Sequence, residues 1–434
     1  MVVSNLCGAH ILLVIKKESF LKEYKKLDKK FNLRWDDTFE KLVNFSQTSD
    51  IPIHNWFYYQ EGFSPVLVKR ILEKLSIQKG SVLFDPFSGS GTSMLSGKDF
   101  GLKTYGFELN PFSYHMIKAK TKNYSKLDLE IVKNFKIPPH KKIDELYQKY
   151  DLKIIENLFE REDFEKIENL KIEINKIENK KSRIILFACL LSILSQVSKY
   201  RKAGNGLKEK RRFLQTNPYE IFDIKRKKVL EDLSKQRGYE PKVKNDTCLN
   251  MDKYSIPLID ISLFSPPYAN CFDPFEVYKI ELWVGEFVTS YNELRHKRKT
   301  ALTSNLNANV AKDINDQHKT ELLDNILNYL AGKELWDKKI VKMLNVYFND
   351  MFVVLEKIYR NTQEDGYCVI VVGNSAYGNL AIPTDLIFGQ LAEKIGFNVS
   401  EIIVARKNET SSQQHLKLKE YTEYLRESII ILKK

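Results

Sequence analysis

Short blocks of consecutive apolar residues recur along the chain, separated by stretches whose apolar positions return every three or four residues. The blocks at 81–84, 103–109, 259–264, 366–373, 397–405 and 427–432 read as strands, several of them apolar on both faces, and the more polar stretch 242–246 reads as a strand ending in Asp246. The stretches at 65–75, 92–100, 341–360 and 383–395 carry helical spacing. In the first of these, Val66, Val68, Ile71, Leu72 and Leu75 form one stripe, Ser64 suits the cap and Pro65 the first turn. Strands alternating with helices predict an α/β fold, a mostly parallel sheet with helices on both faces.

Two regions interrupt this alternation. Residues 125–241 are rich in Lys, Glu, Ile and Leu at helical spacing and read as a largely helical insertion. Residues 288–340 are polar and contain the basic cluster Arg295-His296-Lys297-Arg298-Lys299. The expected organisation is a lead-in over 1–50, first half of the α/β domain over 51–124, helical insertion over 125–241, second half over 242–287, polar insertion over 288–340, and the remainder over 341–434. Residues 16–30 read as a charged surface helix. Residues 272–286 are aromatic and apolar, with Tyr278 and Trp283 expected to cover the site.

Composition narrows the function classes. The 69 basic and 56 acidic residues leave a net charge of +13, which points to a polyanionic partner, nucleic acid first. The segment from Lys199 to Arg212 concentrates this charge: Arg201, Lys202, Lys208, Lys210, Arg211 and Arg212 are interleaved with Tyr200 and two glycines, a mixture suited to a phosphate backbone. The five cysteines are scattered without a C-x-x-C pair, so no zinc site or disulfide framework is expected and the compartment reads as cytoplasmic. Residues 9–15 are apolar but lack the flanks of a signal peptide. The longest other apolar run, 184–194, is half the length of a membrane span, which needs about 20 residues.

Two motifs carry chemistry. After the strand at 81–84 comes Asp85-Pro86-Phe87-Ser88-Gly89-Ser90-Gly91-Thr92, then a helix, a strand and Glu108. Glycines let a backbone approach a nucleoside closely, and an acid at the next strand end takes ribose hydroxyls. A dinucleotide site has a third glycine where this chain has Met94, and Asp85 would repel a pyrophosphate. Both features favour a cationic, phosphate-free nucleoside, and S-adenosylmethionine fits. The second motif, Ser265-Pro266-Pro267-Tyr268, ends the strand at 259–264. Two prolines stop the strand and fix a stiff turn at its carboxyl end, where open α/β sheets bind ligands. The turn offers a hydroxyl, unpaired carbonyls and a ring to a flat, amino-bearing base.

Together the two motifs resemble the exocyclic-amino DNA methyltransferases, over residues 52–120, 242–290 and 340–434. The resemblance implies a Rossmann-like methyltransferase fold and S-adenosylmethionine as cofactor. It implies a cofactor site built from Trp56, Phe63, Ser64, Pro65, Asp85, Pro86, Phe87, Gly89, Ser90, Gly91, Thr92, Glu108, Asp246 and Thr247, with Asp246 bonding the adenine amino group. Ser265, Pro266, Pro267 and Tyr268 would receive a flipped base of double-stranded DNA, and no metal is required. A Ser at the first position resembles the cytosine-N4 subgroup. Adenine N6, an RNA amino group, and a catalytically silent DNA-binding protein on the same fold are the alternatives. A companion restriction endonuclease is the expected functional partner.

Overall fold

A computed structural model describes residues 17–48, 50–204, 206–213, 215–233, 238–314, 316–408 and 418–434. Cys7, the apolar stretch at 9–15 and Asn205 of the basic segment lie outside the described residues. The strands are β1 (Leu33–Trp35), β2 (Val82–Asp85), β3 (Lys103–Phe107), β4 (Tyr200–Ala203), β5 (Gly206–Glu209), β6 (Lys242–Lys244), β7 (Ile259–Phe264), β8 (Thr362–Gly373), β9 (Ser375–Tyr377), β10 (Leu380–Ile382), β11 (Asn398–Lys407) and β12 (Arg426–Lys433).

Eight of them form one sheet in the order β1-β11-β12-β8-β7-β2-β3-β6. The run β8-β7-β2-β3-β6 is parallel throughout, and β12 is antiparallel to both its neighbours. This is the doubly wound α/β arrangement expected from the alternation of blocks. From β2 the chain moves outward to β3 and β6, whereas from β7 it moves the other way to β8. The switch point therefore falls between β2 and β7, where such sheets hold ligands.

The two-residue side-chain period of the strands sorts the apolar residues onto two cores. Leu83, Ile261, Leu263, Val369, Val371, Ile403, Ile429 and Ile431 pack one face, against Leu67, Val68, Ile71 and Leu72 of the helix Pro65–Lys74. Ile370, Val372, Ile402, Ile430 and Leu432 pack the other, under the helices Ile340–Asn361 and Thr384–Ile395. In the helix Pro65–Lys74, capped by Ser64 Oγ at 3.2 Å from Val66 N, the buried stripe runs through Leu67 rather than the expected Val66, which is exposed.

Three expectations need correction. The helix Lys17–Lys30 is not confined to the surface: Phe20, Tyr24 and Leu27 enter the sheet-face core, and only its other side is charged. The stretch 288–340 is not a polar appendage, because the helix Glu321–Ala331 buries Leu322, Leu323, Ile326 and Leu330 in that same core. The basic segment after the helix Lys180–Val197 is not uniformly available to a phosphate backbone, because most of it folds into the hairpin β4–β5 and Lys202 turns inward to Glu281. The helical insertion has its own core, yet it shares that core with Phe57, Phe112, Met116, Tyr278 and Trp283 of the α/β domain. Among the described residues no helix is long and apolar enough to cross a membrane.

The start of β12 is pinned by buried charge. Arg426, its side chain 2% exposed, donates from Nε to Asp385 Oδ2 at 2.8 Å and from Nη2 to Asp28 Oδ1 at 2.9 Å. Asp385 also accepts from Ser428 Oγ at 2.8 Å and Asn374 Nδ2 at 2.9 Å. Removing one partner of such a pair leaves an uncompensated charge in the interior. Asp385→Ala is therefore expected to destabilise the fold by about 3–5 kcal/mol, measured by urea unfolding. A loss under about 1 kcal/mol, the range of an exposed pair, would show that the network is not the anchor of β12.

Candidate active site

One cavity of about 510 Å³ opens along the carboxyl ends of β2, β3, β6 and β7, within the size range of small-molecule sites. It is lined by Asp85, Pro86, Phe87, Gly89, Ser90 and Thr92 after β2, by Glu108 after β3, and by Asp246 and Thr247 after β6. Ser265, Pro266, Pro267 and Tyr268 close it after β7. Residues as distant in sequence as Asp85 and Tyr268 meet because parallel strands end at a common edge.

The glycine loop is held by its acids. Asp85 Oδ1 accepts from Phe87 N at 2.8 Å, and Ser93 Oγ donates to Oδ2. Glu108 accepts from Gly89 N and from Asn110 N, both at 2.7 Å. Gly89 and Gly91 both have positive φ, 52° and 87°. A side chain on Gly89 would meet Tyr59 of the opposite wall at 3.0 Å. Burial pushes Asp85 up to about 7, and it pushes Glu108 up to about 8 against its two N–H donors. Asp246 differs: burial raises it, but hydrogen bonds from Asn250, Tyr254 and its neighbour Thr247 outweigh that and hold it below its ordinary range. The cavity thus has carboxylates on three sides, and the glycines leave space for a ligand's approach. This donor set fits a nucleoside that carries a positive charge.

The turn after β7 is held by β12, two strands away in the sheet. Tyr268 Oη donates to Glu427 Oε1 at 2.6 Å and lies 3.4 Å from Ser265 Oγ. Burial, then the Glu427 carboxylate, hold the phenol far above its ordinary value. The ring packs over Gly373, where a Cβ would come within 2.8 Å of it.

Several expected residues sit elsewhere. Trp56 is buried away from the cavity with its indole N–H 2.8 Å from Asp232 Oδ2. Ser64 and Pro65 only begin the helix beneath it, although Phe63 does reach the cavity. Gly91 turns the chain behind the loop, where a Cβ would crowd Ile117 at 3.0 Å, so its role is in the turn and not in direct contact. Tyr278 and Trp283 are buried behind the wall rather than over the opening. Lys202 does not face solvent: its Nζ is 2.6 Å from Glu281 and lies over the rings of Phe57 and Tyr278 at 4.4 and 4.1 Å. Lys210 donates to the carbonyls of Ser195 and Gln196, both at 3.0 Å, at the end of the helix Lys180–Val197. Tyr200 is half-buried, and Arg201, Lys208, Arg211 and Arg212 remain exposed.

Sequence reading missed Tyr59, Glu61, Asn110, Arg298, Arg406 and Glu427, all of which line the cavity. Tyr59 and Glu61 had a signal in the aromatic stretch before Phe63. Asn110 had one too, since it caps the next helix by accepting from Phe112 N at 3.0 Å. Arg406 and Glu427 had none, because nothing local distinguishes them from other strand-end charges.

The two raised acids set a pH dependence. Glu108 ordinarily titrates at 4.5 and Asp85 at 3.8, so the folded chain keeps protons there that the unfolded chain has released. Their contribution to stability is full below those ordinary values and falls as pH rises toward about 8. Glu108→Gln is expected to flatten the decline in melting temperature between about pH 5 and pH 8, read by calorimetry without ligand. A slope as steep as that of the unaltered chain would reject the assignment.

The comparisons with known proteins agree with this geometry. A family model described as DNA methylase matches residues 10–120. The Type II methyltransferase M.BsoBI of Geobacillus stearothermophilus is 26% identical over 87% of this chain and 84% of its own. M.AvaI of Nostoc is 26% identical over 92% of both chains, and M.MvaI of Kocuria varians is 24% identical over 87% of both. Methyltransferases of this family and fold use S-adenosylmethionine, whose positive charge suits the acid-lined pocket. The chain is thus similar over most of its length to Type II methyltransferases, and the matched family model, the glycine loop and the Ser-Pro-Pro-Tyr turn support the exocyclic-amino DNA methyltransferase family.

Proposed function

We propose that this chain methylates the N4 amino group of cytosine at a specific site in double-stranded DNA. The observation that carries this reading is the position of Ser265-Pro266-Pro267-Tyr268, which shares one cavity with the acids of the glycine loop. A target inside a duplex is unreachable, so the base is extruded into that cavity, at a cost of a few kcal/mol. S-adenosylmethionine supplies the methyl group on a sulfonium centre. Gly89, Ser90, Asp85 and Glu108 hold the donor's charged end and ribose, and Asp246 holds its adenine amino group. Ser265 Oγ and the Pro266 carbonyl accept the N–H groups of the target. This localises the nitrogen lone pair toward the methyl carbon; as the new N–C bond forms, the methyl–sulfur bond breaks to leave a neutral thioether, and the excess N–H proton is lost to solvent. Tyr268 stacks on the base. Positioning supplies most of the rate.

The Ser at position 265 supports cytosine, and the Type II designation of the relatives supports a role beside a companion endonuclease. Digestion of methylated DNA to nucleosides, followed by mass spectrometry, is expected to yield N4-methylcytosine. N6-methyladenine in its place would overturn the target. Tyr268→Ala is expected to remove about 1–3 kcal/mol of stacking and to slow single-turnover transfer, while cofactor affinity by calorimetry stays near that of the unaltered chain. Wild-type-like transfer by a Pro266→Ala, Tyr268→Ala double variant would place the chemistry elsewhere.

The exposed basic residues of the hairpin and of the bend that follows it give a second expectation. Neutralising Arg201, Lys208, Arg211 and Arg212 together is expected to lower the slope of log affinity against log salt by about one for each DNA phosphate that is no longer neutralised. An unchanged slope would leave the hairpin as solvated surface. Lys202 is left out of this set because its charge is spent on Glu281.

A further inference from the structure

Arg406 and Glu427 stand opposite each other on β11 and β12, and both line the cavity beside the catalytic turn. Glu427, its side chain 5% exposed, divides its two oxygens. Oε1 accepts from Tyr268 Oη and Oε2 from Arg406 Nε, each at 2.6 Å. One carboxylate thereby ties a guanidinium to the ring of the turn, and through Tyr268 to Ser265. Arg406 commits only Nε to this bond. Among the described residues its terminal nitrogens have no hydrogen-bond partner, although a guanidinium carries five N–H donors in all.

The acceptors of the turn do not by themselves distinguish bases, since cytosine and adenine each present an amino group. The bases differ farther along the same edge. Cytosine continues from the amino group to a ring nitrogen and a carbonyl oxygen, O2; adenine continues to a ring nitrogen and a C–H. A fixed donor in a desolvated site separates the two, because a base without the carbonyl leaves that donor unpaired. Glu427 cannot fill this role, because both of its oxygens accept hydrogen bonds and neither offers a proton to a carbonyl.

We propose that Arg406 donates to O2 of the flipped base and selects cytosine, with Glu427 as the positioning residue that aims it. This rests on the reading of the target given above. The test uses duplexes with either cytosine or a 2-aminopyridine C-nucleoside at the target position. The analogue keeps the amino group and the ring nitrogen and lacks the carbonyl. Single-turnover transfer by the unaltered chain is expected to be about tenfold or more slower on the analogue. Arg406→Met is expected to be slowed by a similar factor on cytosine and not further on the analogue. Glu427→Gln is expected to show the same pattern more weakly, with cofactor affinity unchanged in both variants as the check on folding. Equal slowing of Arg406→Met on both duplexes would overturn the inference. If that slowing came with a lower salt slope, Arg406 would bind a phosphate instead. If the unaltered chain made N6-methyladenine and no N4-methylcytosine, the reading of the target would fail first, and the two failures are thus distinguishable.

Discussion

A sheet covered on both faces has no room for polar side chains along most of its length. In β12 seven of eight residues are buried, and Ile429, Ile430, Ile431 and Leu432 alternate between two apolar cores. Polar groups meant for chemistry are thereby driven to the strand ends, where the backbone leaves the sheet and cavities can form. Since five adjacent strands run parallel, these ends lie together. Asp85, Glu108, Asp246 and Ser265 are neighbours for that reason, and so is Glu427, carried by an antiparallel strand whose amino end reaches the same edge.

The same constraint explains what could be read from the sequence. The glycine loop, Glu108 and the double-proline turn were legible because each is contiguous with the strand that places it, so the local pattern holds both element and chemistry. The covering of the sheet on both faces was legible from strand blocks such as 259–264 and 366–373, which are apolar on both faces. Trp56 was misplaced because its indole answers to Asp232, 176 residues away, and no local signal records that bond. Lys202 was misplaced for a related reason: counting charge along a segment does not reveal which ammonium turns inward. The stretch 288–340 looked polar because its one strongly amphipathic helix, Glu321–Ala331, is diluted by long polar flanks. Arg406 and Glu427 became visible only when strand register brought them together.

Electrostatically the cavity has two distinct walls. On the cofactor side, burial leaves Asp85 and Glu108 reluctant to ionise, and no lysine or arginine is hydrogen-bonded to either among the described residues. A cationic ligand would supply the missing counter-charge, so the pocket is more complete with its ligand than without it. On the turn side the carboxylate of Glu427 is already matched by Arg406, and the wall is fixed in advance of any ligand. Binding of a cation at the first wall would draw protons off these acids, whereas geometry at the second is set by the fold.

Lys202 connects the helical insertion to the cofactor wall. Its ammonium sits against Tyr278, Tyr278 stacks on Tyr59 at 5.2 Å with the rings 2° apart, and Tyr59 lies against Gly89 of the loop. An insertion grafted from a relative without a lysine at this position would leave Glu281 as an unmatched buried anion and Tyr278 without its cation. Exchange of residues 125–241 as a block is therefore not neutral for the packing behind the glycine loop. A transplant that keeps the catalytic half intact has to carry the lysine with it, or replace Glu281 at the same time.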